Sequence, residues 1–74
     1  MNKQRRKSIS DIIKNIENIK MELENILYDE QDYFDNMPEN LQGSIRGEQS
    51  EEAIDILTEA VDGLEEIANS LEEI

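Results

Sequence analysis

Carboxylates are the only side chains in this sequence plentiful enough to do chemistry, with 19 acids against 7 bases and neither histidine nor cysteine. That inventory removes thiol chemistry, disulfides, thiolate or imidazole metal sites and histidine-based proton transfer. The densest acidic run, "DEQDYFD", offers Asp29, Glu30, Asp32 and Asp35. It lacks the alternating ligands and the glycine of an EF-hand loop. Di-iron helix sites combine glutamates with a Glu-x-x-His pair, and no histidine is available. Paired acids such as Glu65 and Glu66 fall on a charged helix face with no implied pocket, and glycines at 43, 47 and 63 match no phosphate-binding fingerprint. The expectation is a non-enzymatic protein with no catalytic, metal or cofactor residues.

Charge is unevenly placed. Lys3, Arg5, Arg6 and Lys7 form a basic start without an acid, whereas Glu22 to Ile74 hold 17 acids and one base, Arg46. An acidic body of that kind repels DNA and anionic membranes, so a partner chosen by charge should be basic. The basic arm supplies at most a few phosphate contacts, which makes direct nucleic-acid binding a poor expectation. The start resembles a signal peptide only in its bases, because Asp11 and Lys14 break the apolar region that should follow. No apolar run approaches the roughly 20 residues of a membrane span. The chain reads as soluble, intracellular and cytoplasmic.

Two periodic segments must position these charges. In the first, Ile9, Ile12, Ile16, Ile19, Leu23 and Ile26 recur in steps of three and four, positions a and d of a heptad. Ile13, Leu27 and Phe34 add position e, which makes the stripe wide enough for more than one neighbour. Ser8 or Ser10 is the expected cap, and Pro38 ends the helix near residue 36. In the second, Ile54, Leu57, Val61, Leu64, Ala68 and Leu71 repeat the pattern, with Ala53, Ala60, Ile67 and Ile74 at position g and Ser50 as the expected cap. All ten acids from Glu48 onward lie at positions b, e and f, while position c reads Gln49, Ile56, Gly63 and Ser70. An uncharged face that broad calls for two or more neighbours, with Gly63 either marking the close approach of one of them or merely tolerated in the helix.

The division is therefore a flexible basic arm, 1–7, and one helical domain, 8–74. That domain comprises a helix over 8–36, a connection over 37–49 and a helix over 50–73. The expected fold is all-α, an antiparallel two-helix hairpin. A lone hairpin buries too little apolar area to offset the entropy of ordering the chain. A homodimer forming a four-helix bundle meets that need, with Ile12, Ile16, Ile19, Leu23, Ile26, Leu57, Leu64 and Leu71 as its core.

The middle stretch Tyr28 to Gly47, "YDEQDYFDNMPENLQGSIRG", runs from the end of the first helix into the connection and holds all three aromatic residues and the only proline. The connection can form a helical turn stopped by a left-handed Gly43, with Tyr33, Met37, Leu41 and Ile45 as a closing plug. In the stretch's other role, Tyr28, Phe34, Leu41 and Arg46 form a partner-binding surface. Glu30, an acid at core position a, either pairs with Arg46 or lies where the helices splay.

The pattern "YFDNMPENLQ", then "RGE", then "EEAIDILTEAVDGLEE" resembles a family of small, uncharacterised proteins of phages and prophages of Gram-positive bacteria. The resemblance covers Tyr28 to Leu71 and implies a helical hairpin in a phage setting, without an activity or site residues. Gly63 departs from the alanine that such repeats often carry. The leading functional expectation is a protein that binds and modulates or inhibits a host or phage protein. Two alternatives stand beside it. One is a DNA mimic that uses the acid row Glu52, Glu59, Glu66 and Glu73; the other is a structural or assembly bundle with no soluble target.

Overall fold

The computed structural model describes all of residues 1–74. It is all-helical and long, measuring 58 × 15 × 13 Å. Three helices follow in order: α1 Lys3–Asp35, the single turn α2 Glu39–Gln42, and α3 Ile45–Glu72. Helices α1 and α3 lie side by side in opposite directions. Near one end Ile9 and Ile13 border the same cleft as Leu71 and Ile74. Farther along, Lys20 approaches Glu65 at 3.9 Å, and near the other end Glu30 meets Ser50 at 2.7 Å.

Helix α1 starts earlier than its sequence suggests. Asn2 is the cap, its side-chain oxygen accepting from the Arg5 N–H at 2.8 Å, so residues 3–7 are helical rather than a free arm. Ser8 sits inside the helix, where its hydroxyl donates to the Gln4 carbonyl at 3.2 Å. The residue pairings above leave the first turns of α1 extending beyond the end of α3, and residues 1–8 are all exposed. Pro38, at φ −55° and ψ 143°, redirects the chain after Met37.

The connection is shorter than expected, because α3 begins at Ile45 and not at residue 50. Ser44 is its cap, accepting from the Gly47 N–H at 3.4 Å. Ser50, the expected cap, is instead buried in the second turn. The glycine roles also differ. Gly43 has φ −85°, so it is no left-handed stop. Gly47 is the position where only glycine fits, since a Cβ there would lie 2.0 Å from the Gln42 carbonyl oxygen. Gln42 closes the corner from the other side: its Nε2 donates to the Met37 carbonyl at 3.2 Å and, alongside the Met37 N–H, to the Phe34 carbonyl at 3.3 Å.

Candidate functional site

The seam between α1 and α3 uses only part of each stripe. On α1 the apolar half-buried positions are Ile9, Ile13, Ile16, Leu23, Leu27 and Phe34, in rows a and e together with the half-buried Lys20 and Glu30, and Met37 continues row a just past the helix end. Row d, comprising Ile12, Ile19, Ile26 and Tyr33, is left between 47% and 53% exposed. On α3 rows a and d face the seam through Ile54, Leu57, Val61, Leu64, Ala68 and Leu71. Rows g and c are left out, with Ile56, Ile67 and Ile74 each exposed by half or more.

These uncovered rows lie on one face. Each is offset from its own helix's seam by about one step in the same rotational sense. Because the helices run in opposite directions, equal rotations bring both rows to the same side. Tyr33 of row d accordingly lines one cleft with Arg46 and Gln49 of rows g and c. Phe34 opens on the opposite side, in a cleft with Glu51 and Asp55. The protein thus has an isoleucine face and an acidic face, back to back.

Of the expected bundle core, Ile16, Leu23, Leu57, Leu64 and Leu71 occupy the seam within the chain, whereas Ile12, Ile19 and Ile26 look outward. No side chain is fully buried, and Met37 and Ala68 are the only hydrophobic residues in the most buried class. The closing plug reduces to Met37, because Tyr33, Leu41 and Ile45 stay exposed. The carboxylate of Glu30 accepts from the Ser50 hydroxyl and does not pair with Arg46. The ion pairs present are Lys7–Asp11 at 3.4 Å and Lys20–Glu65 at 3.9 Å.

The four partner-surface candidates do not converge. Phe34 is half-buried beside the acidic face, Arg46 lies at the edge of the isoleucine face, Tyr28 is exposed on α1, and Leu41 is exposed on α2. By contrast, Glu52, Glu59, Glu66 and Glu73 are all exposed in one row, opposite the seam on α3. Rows b and e continue that charge onto the acidic face with Glu48, Glu51, Asp55, Asp62, Glu65 and Glu72. No group of histidine, cysteine or acidic side chains is arranged to hold a metal ion, and no helix is long and apolar enough to cross a membrane. What sequence reading missed is Ser50, whose serine at a core position of the second stripe was the available signal for a buried polar partner to Glu30.

No protein-family profile matches the chain, and none was found to match among curated proteins or solved structures.

Proposed function

We propose that this is a non-enzymatic interaction protein. Two helical hairpins join through their isoleucine faces into a four-helix bundle, which binds a basic protein through its acidic faces. The back-to-back separation of apolar and acidic rows carries this reading. A face built from Ile12, Ile19, Ile26 and Ile67 with no carboxylate among its rows suits burial against protein. Ten acids without a base on the other rows of α3 suit a partner of opposite charge. Ordinary solvated helices mix both signs. The proposed setting, from the resemblance of the central run, is modulation of a host or phage protein in the cytoplasm of a Gram-positive host.

A narrower second reading is mimicry of DNA. The row Glu52, Glu59, Glu66 and Glu73 repeats about every 10.5 Å along α3, and a bundle shows that row twice. DNA carries one charge per about 1.7 Å of axis, so adjoining rows must add to the density. The test for both readings is capture of a partner from host lysate, using the native protein and a variant with Glu52, Glu59 and Glu66 changed to lysine. Loss of the partner in the variant supports the acidic face, and its displacement by duplex DNA selects mimicry. Equal retention by both proteins refutes an acidic binding face. Absence of any partner favours an assembly role.

A further inference from the structure

We infer that the second copy lies head to tail on the isoleucine face, with the two turns at opposite ends of the bundle and α1 stacked on α1. This inference rests on the dimeric reading above and adds its orientation. The face suits a second copy in size. Seven large residues, each about half exposed, offer on the order of 700 Å² per copy, near the roughly 800 Å² per partner of a stable interface. A basic partner does not suit this face, whose α3 rows display Arg46 and no acid, and whose bordering carboxylate, Glu30, is held by the Ser50 hydroxyl.

Charge along the molecule decides the direction. The half nearer the chain ends, residues 1–22 with 61–74, carries six bases and eight acids, a net of −2. The half nearer the turn, residues 23–60, carries one base and eleven acids, a net of −10. Stacking with both turns at one end sets the two strongly acidic halves against each other. Reversal sets each against the nearly neutral half, which lowers the repulsion.

Geometry then gives the register. A twofold axis through the middle of the row Ile12, Ile19, Ile26, Tyr33 pairs Ile19 of one copy with Ile26 of the other, and Ile12 with Tyr33. The same register sets Arg6 level with Glu39, so the exposed basic turns of each α1 reach the acidic turn of the other copy. It also brings Gly63, which has no neighbour within 4 Å of a built Cβ, close to the middle where α3 passes α3. That meets the first of the two sequence expectations for this glycine, a close neighbour, which the single chain does not supply.

The chain has no cysteine, so introduced thiols report cleanly. Single variants Ile12→Cys and Tyr33→Cys, mixed and refolded together, should form a crosslinked heterodimer on mild oxidation. Ile12→Cys alone should not self-link, because its two copies stand about 30 Å apart along the axis. Crosslinking of Ile12→Cys with Ile67→Cys or Ile74→Cys in place of Tyr33→Cys would overturn the orientation, since those pairs meet only with the turns at one end. A second measurement leaves the face untouched. Spin labels on Asn40→Cys, exposed on α2, should lie about 50 Å apart in the dimer, at 1.5 Å per residue from the axis. A separation under about 25 Å would reject head-to-tail packing while keeping the dimer. A monomeric mass for the native protein would remove both the orientation and the dimeric reading.

Discussion

Ser50 and Glu30 join the two long helices through a 2.7 Å hydrogen bond from hydroxyl to carboxylate, 20 residues apart in the chain. Ser50 is 4% exposed, and Glu30 occupies a seam position where the flanking repeats are Leu23 and Met37. The pair therefore places a polar lock near the turn end of the seam, apart from the Lys20–Glu65 ion pair farther along it. The Glu30 side chain also borders the open cleft shared with Tyr33, Arg46 and Gln49.

Removing one partner of that lock should cost more than removing both. Ser50→Ala leaves the Glu30 oxygen without its donor and should destabilise the fold by about 1–2 kcal/mol. The double change Ser50→Ala with Glu30→Leu should recover most of the loss, because no acceptor is then stranded. Urea denaturation of the native, single and double variants at one protein concentration measures the cycle. Additive losses would argue that the bond contributes nothing.

The glycines should separate sharply. Gly47→Ala drives a methyl group into the Gln42 carbonyl and should cost about 2 kcal/mol or more, since backbone has to move. Gly43→Ala meets nothing within 4 Å at φ −85° and should be neutral or stabilise by about 0.5 kcal/mol. Thermal melts read by circular dichroism give the comparison. Equal effects at the two sites would contradict the corner geometry.

Gly63 has as much room as Gly43 within one chain. If α3 passes close to its copy there, Gly63→Leu should weaken association at least about tenfold, or 1.4 kcal/mol. Gly43→Leu should leave association unchanged. Sedimentation equilibrium over a concentration series reads both.

A charged residue in the middle of the isoleucine face should disperse the bundle. Ile19→Glu with Ile26→Glu adds four carboxylates to the dimer interface, and the expected product is a monomer with most of its helix lost, because a single pair of helices holds no fully buried side chain. The control is Met21→Glu with Tyr28→Glu, exposed positions of α1 off that face, which should stay dimeric. Mass by light scattering and helicity by circular dichroism decide it.

Salt should stabilise the protein. With a net charge of −12 and two ion pairs, one of them fully on the surface, self-repulsion outweighs attraction. Raising ionic strength from about 0.02 to about 0.5 M shortens the screening length several-fold and should raise the melting temperature. A fall over that range would show that attractive pairs dominate.

The spacing of isoleucine and leucine was enough to find both long helices and the breadth of their apolar stripes. It could not say which rows meet within the chain. From Ile9 onward, row d of α1 is without charge, whereas row a holds Glu30 and row e holds Lys20, so apolarity alone does not select a and e; the choice depends on how the corner at Pro38–Ser44 rotates α3 onto α1. The corner was illegible for the same reason. Gly43 and Gly47 look alike as local signals, and only the approach of Gln42 from the preceding turn makes Gly47 the indispensable one. The start of α1 was misplaced because two serines within the helix resemble caps, while Asn2 lies ahead of a polar stretch without apolar rhythm. Glu30 stands out as an acid at a core position, but charge offers only Arg46 or a splayed seam as explanations, and the neutral Ser50 hydroxyl that it meets carries no charge to signal it.

Only 4 of 74 residues are buried in the single chain. If folding therefore waits on meeting a second copy, the folded fraction obeys a square law, since dimer grows with the square of free chain. Sparse expression would leave a loosely helical substrate for proteases, and modest overproduction would shelter it. The dose at which the protein takes effect would then be set by its own association constant, giving a switch-like onset that needs no regulator beyond synthesis rate.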